Sequence, residues 1–304
     1  VGLLGTDDVT RGPRGLLAQI YALREEGLNA FGYAGGYHVP LATLTGSVRG
    51  DLVLLEPLLG IGELAISDHR SSQPTFDEIL RLAADAHVSG LMTGKAGVLH
   101  LHLGDGRRGL DFVRRALSES EIPARVFNPT HVNRRKALFD EAVALAGDGC
   151  YIDLTAFPVE DGEDAWSAAE GLQRYLASGA PPDRITISSD AGGCLPCFDA
   201  EGRVSRMDVG HSGALLETLR VLVDSGMPLE TALPAFTGNP ARLLRLTGKG
   251  RVEAGADADL VALDATGAAQ TVIIGGHIHV REGQAVRRGT FENRQEQHVA
   301  EYRP

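Results

Sequence analysis

Residues 60–71 read GIGELAISDHRS, an apolar run that contains one glutamate, Glu63, and ends in a charged triplet. Three further stretches have the same design: LHLHLGD at residues 99–105, PTHVNRR at 129–135 and ISSDAGG at 187–193. Each places a metal-ligand residue type or a fixed charge just past an apolar run that is typical of a strand. In an α/β barrel the active site lies at the C-terminal ends of the parallel strands. The four stretches therefore predict one functional site on that face of a barrel.

Short apolar runs alternate with helical patterns along the chain, which is the βαβα rhythm of a parallel sheet. The predicted strands are residues 1–5, 29–34, 64–66, 97–103, 124–127, 150–154 and 184–188. The predicted helices are residues 13–26, 76–87, 110–118, 134–146, 165–178, 213–223 and 229–235. This pattern is one strand short of a (β/α)8 TIM-type barrel, so we expect the missing first strand to lie before Val1.

The composition changes near Gly248. From there, short β-prone runs are broken by Gly and Asp, as in GKGRVEAGADADLVALD and VIIGGHIHVREGQAV. Such runs favour a small β element packed beside the barrel. We therefore predict a barrel over residues 1–247, the β element over 248–292 and a polar tail over 293–304.

The overall charge limits the possible partners. The net charge of -11 over 304 residues argues against a nucleic-acid partner and against an anionic membrane surface. An acidic substrate would have to be attracted by local arginines.

Three cysteines, Cys150, Cys194 and Cys197, cannot all pair within one chain, and no apolar run is long enough to span a bilayer. We expect a cytoplasmic protein.

Four residues are candidate metal ligands. His102 and His131 end strand candidates, and neutral imidazole is a common metal ligand. His100 forms an HxH pair with His102. We favour His102 as the metal ligand, because it lies nearer the strand end, and expect His100 to pack in the protein or to support the ligands from behind. Asp190, followed by AGG, has the placement of a metal-bound general base, and Glu63 could bridge two cations. The alternatives are polar strand ends for the histidines, a turn cap for Asp190 and an exposed loop glutamate for Glu63.

Three other residues are candidates for contacting a substrate. The guanidinium groups of Arg70 and Arg134 match carboxylates through two parallel hydrogen bonds. Tyr37 follows two glycines and could donate its phenol to an oxyanion. Surface arginines and a buried structural tyrosine are the competing interpretations.

The sequence resembles the amidohydrolase superfamily and, within it, the isoaspartyl (β-aspartyl) dipeptidases. The resemblance runs from residue 1 to about residue 292 and is carried by VGLLGTD, YHVP, TGSV, AISDHRS, PTHVNR, SSD followed by FDAEG, and LTGKGRVEAGADADL. It implies a (β/α)8 barrel with a small β-sandwich. It also implies a binuclear centre, with zinc expected, whose bridging hydroxide hydrolyses the isopeptide bond of β-aspartyl dipeptides. A small acidic dipeptide would be the substrate, and we expect a homo-oligomer.

The resemblance assigns roles by position. It places metal ligands at Glu63, His102, His131 and Asp190, with Glu63 where the family often has a carboxylated lysine. It places substrate-binding residues at Thr6, Tyr37, Arg70, Arg134 and Cys194, the last where a small hydroxyl residue is usual. Asp190 would pass a proton from the hydroxide to the leaving amine, while Tyr37 would polarise the scissile carbonyl. The HxH pair of the family's first strand would lie before Val1, so we expect the sequence to be incomplete.

Two other functions stay open at this point. A related hydrolase of cyclic amides or N-acyl amino acids would need only one carboxylate clamp. A metal-free barrel could instead bind acidic dipeptides or serve as a structural subunit.

Overall fold

The computed structural model describes residues 1–198 and 203–289. The helices are α1 (Pro13–Glu25), α2 (Val48–Leu54), α3 (Phe76–Thr93), α4 (Asp111–Glu119), α5 (Lys136–Gly147), α6 (Ala168–Ala177), α7 (Ala214–Asp224), α8 (Leu229–Ala232) and α9 (Gly238–Leu243). The strands are β1 (Gly32–Ala34), β2 (Leu58–Ser67), β3 (Val98–Leu103), β4 (Phe127–Thr130), β5 (Ile152–Thr155), β6 (Ile185–Ser188), β7 (Cys194–Phe198), β8 (Val204–Val209), β9 (Leu260–Leu263), β10 (Ala269–Ile274), β11 (His277–Arg281) and β12 (Gln284–Ala285).

The strand β2 is the centre of a parallel sheet. All ten of its residues are buried, which is expected for a parallel strand covered on both faces. It pairs with β1 on one side and β3 on the other, and β3 pairs with β4. The register aligns Ala65 with His102 and His102 with Thr130. The strand ends that carry the candidate ligands therefore lie side by side.

The strands β5 and β6 form a second parallel pair that continues this arrangement. The amide of Tyr151 donates a hydrogen bond to the carbonyl of Phe127 at 3.3 Å, so β5 begins beside β4. The six parallel strands thus follow one another in chain order, alternating with helices. The predicted α/β class is confirmed, while closure of these strands into a complete barrel stays a prediction.

The helix α3 shows how the helices are fixed on the sheet. A capping box between Thr75 and Glu78 begins the helix, and Gly94 in a left-handed conformation ends it. Ile79, Ala83 and Ala86 follow helical spacing and are fully buried. Small residues on this face allow the helix to approach the loop before β3 closely.

Several element boundaries differ from the sequence prediction. The strand predicted at residues 1–5 is a single parallel bridge between Gly2 and Gly32. The predicted strand at 124–127 begins only at Phe127, because the carbonyl of Pro123 accepts a hydrogen bond from Val126 and closes a 3-10 turn first. The helix predicted from residue 134 begins at Lys136, after another 3-10 turn.

Other elements were missing from the prediction. The stretch between the predicted strands 29–34 and 64–66, where no element is predicted, contains α2, which Ser47 caps by accepting a hydrogen bond from the amide of Gly50. The strands β7 and β8 form an antiparallel hairpin directly after Asp190. The helix α9 was also not predicted. Capping by a single serine and pairing within a hairpin leave weak patterns in a sequence.

The C-terminal region contains a four-stranded antiparallel sheet in the order β12–β11–β10–β9. It lies within the stretch where the sequence predicts a small β element. Its membership of a β-sandwich, and the domain boundaries, stay predictions. The polar tail predicted at residues 293–304 lies outside the described residues.

Among residues 1–198 and 203–289, no helix is both long and apolar enough to cross a membrane.

The contact between α3 and the loop before β3 predicts a difference between two glycines. Both Gly94 and Gly97 have positive φ, but a Cβ on Gly94 would meet open space, whereas one on Gly97 would lie 2.6 Å from the carbonyl oxygen of Ala86. We expect Gly94→Ala to lower the free energy of unfolding by about 1 kcal/mol through backbone strain alone. We expect Gly97→Ala to cost a further ~1–3 kcal/mol through the steric overlap, as measured by urea denaturation. Equal losses for the two variants would contradict the packing described here.

Candidate functional site

Three buried side chains from neighbouring strands meet at the C-terminal ends of β2 to β4. The Nδ1 atom of His102 lies 3.0 Å from Glu63 Oε1, and the Nε2 atom of His131 lies 2.7 Å from the same oxygen. The three residues are 3–5% exposed. Because Glu63 lies inside β2 and not in a loop, the alternative of an exposed loop glutamate is wrong. The structure therefore brings together three of the four predicted ligands around one carboxylate oxygen.

The ring of His131 is held from its other side. Its Nδ1 lies 2.6 Å from the hydroxyl of Thr155 on β5, and Thr155 in turn donates its amide to Asn133. His131 has a left-handed backbone, with φ of 59°. This conformation is uncommon for a residue other than glycine and is found where the surroundings hold it in place. Two strands thus determine the direction of this imidazole.

The surroundings of each imidazole, including its hydrogen-bond partners, set its protonation state. His102 lies between Glu63 and Asp68, at 3.0 and 2.9 Å, so both ring nitrogens face carboxylate acceptors. Burial alone would lower the pKa of His102, but the negative charge of Glu63 and the two hydrogen bonds outweigh it and raise the pKa. Burial lowers the pKa of His131 to about 3 despite its hydrogen bond to Glu63. The pKa values of the two histidines shift in opposite directions because their partners differ. His102 lies between two carboxylates, whereas His131 lies between one carboxylate and one hydroxyl, where a neutral imidazole can make both hydrogen bonds.

The carboxyl group of Glu63 is ionised. Burial by itself would raise its pKa, but the charge on His102 and the hydrogen bonds from both imidazoles hold it well below the usual value. The ligand atoms of Glu63, His102 and His131 lie within 4.8 Å of one another. Two imidazoles and one carboxylate suit zinc or a similar cation, and three protein ligands are typical of a catalytic zinc site. These residues therefore fit a divalent cation.

Asp190 lies just past the end of β6 and is half-buried. Its φ is 47°, so, like His131, it follows a strand in a left-handed conformation. Burial is the main reason that its pKa rises to about 6, and the charge of Glu63 acts in the same direction. A carboxyl group with such a pKa can exchange a proton near neutral pH.

Asp68 is a central residue of the site that the sequence prediction missed. It is 3% exposed and accepts hydrogen bonds from Tyr37, Arg70 and His102. Burial would raise its pKa, but the hydrogen bonds from His102 and Arg70 keep it far below the usual value. The signal was present, since Asp68 directly follows the apolar run in GIGELAISDHRS.

The two predicted arginine clamps differ in how far they are already occupied. Arg70 donates to both oxygens of Asp68, at 3.0 Å from Nε and 2.6 Å from Nη2. Arg134 is half-buried, and its guanidinium forms no hydrogen bond or ion pair with the residues that the structure describes. Burial and the charge of Arg70 lower the pKa of Arg134. The guanidinium of Arg134 thus differs from that of Arg70 in having no carboxylate partner in residues 1–198 and 203–289.

Tyr37 lies against His102, with the ring centroids 4.8 Å apart, and is 1% exposed. Its hydroxyl donates to Asp68 at 3.1 Å. Burial raises the pKa of the phenol, so the hydroxyl keeps its proton as a hydrogen-bond donor.

The two remaining predicted substrate residues are not part of this hydrogen-bonded group. Thr6 and Cys194 are both exposed, and Cys194 begins the hairpin strand β7. His100 lies deeper in the sheet, where its Nδ1 is 2.7 Å from Asn128 Oδ1 and its ring packs on Tyr33. His100 therefore contacts Asn128 and Tyr33 and is not a member of the Glu63–His102–His131 group.

A second group of ligand-type residues consists of Asp68, His69 and Asp105. His69 and Asp105 are exposed, with His69 Nδ1 2.7 Å from Asp105 Oδ2. Since Asp68 is already bound by Arg70, this group is better explained as a hydrogen-bonded pair of His69 and Asp105 beside Asp68.

Comparisons with known proteins identify the family of the chain. The sequence profile of the amidohydrolase family matches residues 115–279, more than half of the chain. The chain belongs to the amidohydrolase family. Within it, the chain is similar to the β-aspartyl dipeptidase of Fervidobacterium islandicum AW-1, solved with a β-Asp-Leu dipeptide. The identity is 40% and the TM-score 0.90, covering 96% of this chain and 74% of that one.

A second structure of the Fervidobacterium islandicum AW-1 enzyme gives 38% identity and a TM-score of 0.86, with the same coverage of 96% and 74%. The resemblance found in the sequence is thus confirmed. Among curated proteins, a deacetylase of Agrobacterium fabrum is 26% identical over 212 residues, which is 62% of this chain and 48% of that protein. The chain spans about half the length of the curated relatives that it matches.

The protonation of the site predicts how cation binding depends on pH. Protons on Asp190, with a pKa of about 6, and on His102, with a raised pKa, must leave before these groups can bind a cation. We expect the affinity for Zn²⁺, measured by calorimetry, to fall as the pH is lowered from about 7.5 to about 5. Asp190→Asn should make this dependence less steep. A Zn²⁺ affinity that stays constant between about pH 7.5 and about pH 5 would contradict the assignment of Asp190 and His102 as groups that bind the cation.

Proposed function

We propose that the protein hydrolyses the isopeptide bond of β-aspartyl dipeptides, with two divalent cations, expected to be zinc, in the site. The observation that carries the proposal is the guanidinium of Arg134, which has no partner among the described residues and lies near Arg70 and the Glu63–His102–His131 group. Asp68 already pairs with Arg70, whereas burial and the neighbouring charge of Arg70 both disfavour the cationic form of Arg134, so an anion bound beside Arg134 would stabilise it. A dipeptide with free carboxylate groups supplies such anions.

The similarity to the Fervidobacterium islandicum AW-1 enzyme supports the choice of substrate. That enzyme was solved with β-Asp-Leu, and the similarity covers nearly the whole of this chain. The net charge of -11 would repel an acidic dipeptide, so the local positive charge of Arg70 and Arg134 is needed to admit it.

Glu63, His102, His131 and Asp190 would hold the cations. Bound there, a divalent cation would lower the pKa of a water molecule and polarise the amide carbonyl. Asp190 would accept the proton of the attacking water and give it to the leaving amine, a role that matches its raised pKa. Tyr37 would donate its phenol to the carbonyl oxygen as charge develops there, exchanging Asp68 for the substrate.

Arg134 would bind a substrate carboxylate directly, because its donors are not used by the described residues. Arg70 already gives two donors to Asp68, so only its remaining N–H groups would reach the substrate. Asp68 would thus orient Arg70 as well as Tyr37. Roles for Thr6 and Cys194 in substrate binding, a homo-oligomeric state and a cytoplasmic location stay predictions from the sequence.

A second candidate is hydrolysis of an N-acyl amide, which the similarity to the Agrobacterium fabrum deacetylase favours. Its substrate would carry a single carboxylate group, so it would need only one of the two guanidinium groups.

Substitution of Arg134 separates these functions. If Arg134 binds a carboxylate of the dipeptide, Arg134→Ala should lower kcat/KM for β-Asp-Leu by about tenfold to a hundredfold, because a charge-assisted hydrogen bond contributes ~1.5–3 kcal/mol. Arg81→Ala, which removes an exposed arginine on α3, is the matched control and should leave turnover unchanged. The measurement is the rate at which the zinc-loaded protein releases the leaving amine from β-Asp-Leu.

Three results would contradict the dipeptidase proposal. Turnover of N-acetyl-leucine but not of β-Asp-Leu, insensitive to Arg134→Ala, would favour the N-acyl amide hydrolase. If the dialysed protein retains no cation and hydrolyses neither substrate, a metal-free binding barrel would be favoured. An unchanged kcat/KM for β-Asp-Leu in Arg134→Ala would remove Arg134 from substrate binding.

A further inference from the structure

The strand β5 supplies none of the candidate cation ligands, but its polar side chains contact the strands on both sides of it. Thr155 holds the ring of His131, as described above. Two residues earlier, Asp153 points to the same side of the strand and lies between β4 and β6. The function proposed above does not use Asp153.

Asp153 is a buried carboxyl group surrounded by hydroxyl donors. It is 4% exposed. Its Oδ1 accepts a hydrogen bond from Thr186 at 2.5 Å, and its Oδ2 accepts from Ser188 at 2.5 Å and from Thr130 at 2.7 Å. Within the described part of the chain, no Lys, Arg or His forms an ion pair with it. A buried acidic group without a cationic partner is costly, so it is retained where its charge or its contacts have a role.

The positions of the three donors indicate what that role is. Thr130 is the last residue of β4 and directly precedes His131. Ser188 is the last residue of β6 and lies two positions before Asp190. One carboxyl group therefore ties together the ends of β4, β5 and β6 at the point where two of these strands lead into candidate ligands. Both ligands also have left-handed backbones, which need such support from their surroundings.

We propose that Asp153 is a positioning residue, which fixes the ends of β4 and β6 so that His131 and Asp190 face the cation site, and whose buried negative charge favours a divalent cation there. This inference rests on the cation site of the proposed function, but not on the identity of the substrate. Hydrogen-bonded residues behind metal ligands orient them and increase the affinity for the metal.

A purely structural role is the competing explanation, and Asp51 provides a matched control. Asp51 is also fully buried and also accepts hydrogen bonds from neighbouring groups, namely the amides of Leu44 and Thr45 and the hydroxyl of Thr45. It lies on α2, and none of these hydrogen bonds involves a candidate ligand or a residue next to one. Asp51→Asn should reduce stability without changing the affinity for a cation.

The experiment measures the dissociation constant of Zn²⁺ for the metal-stripped protein by competition with a chromogenic chelator. Asp153→Asn keeps the shape of the side chain and removes its charge. We expect its dissociation constant to be about tenfold to a hundredfold higher than that of the wild type. Ser188→Ala, which removes one donor and leaves the charge, should raise it by a smaller factor and serves as the second variant if Asp153→Asn does not fold.

Each result has a distinct meaning. Wild-type affinity in both Asp153→Asn and Ser188→Ala would overturn the positioning role while leaving the cation site intact. An equal loss of affinity in Asp51→Asn would also overturn it, because the effect would then follow stability alone. A wild-type protein that binds no Zn²⁺ would overturn the cation site and this inference together. Normal Zn²⁺ binding with the expected variant effects, but without hydrolysis of β-Asp-Leu, would refute the proposed substrate and support the role of Asp153.

Discussion

The site depends on one buried carboxylate oxygen, Oε1 of Glu63, which lies within hydrogen-bond distance of two imidazoles from the next two strands. Such an arrangement is stable only where water is excluded and the surrounding polar groups are paired. The fully buried strand β2 supplies the first condition. The contacts of Asp68 and Thr155 behind the two imidazoles supply the second. The same preorganisation would let a cation replace the protons with little movement of the protein.

Charge is divided unevenly across this site. The carboxyl groups of Glu63, Asp68 and Asp190 are buried or half-buried in the site, and the guanidinium groups of Arg70 and Arg134 lie near them. Arg70 is neutralised by Asp68, but Arg134 has no anionic partner among the described residues. The protein thus offers a cation site and an anion site next to each other. This combination is the basis of the proposed hydrolysis of an amide in a substrate that carries carboxylates.

Much of the site was predictable because strand ends are visible in a sequence. Glu63, His102, His131 and Asp190 each follow or interrupt an apolar run, and parallel strands bring such positions to one edge. Asp68 was overlooked although it occupies an equivalent position. Asp153 and Thr155 gave no comparable signal, because a polar residue inside a short strand is also compatible with an ordinary alternating strand. The α/β class followed from the rhythm of the elements, whereas the 3-10 turns before β4 and α5 did not.

The sequence by itself determined the class of fold, the strand ends that carry chemistry and the family, since these depend on local periodicity and on short motifs. Only the tertiary structure decided which side chains meet. The pairing of β2 with β3 and of β3 with β4 places Glu63 between two imidazoles, and Asp68 pairs with Arg70, while Arg134 has no anionic partner within the described part of the chain. The left-handed conformations of His131 and Asp190 were likewise decided there. Such features arise from contacts between residues that are distant along the chain, and these contacts leave no periodic pattern in a single sequence.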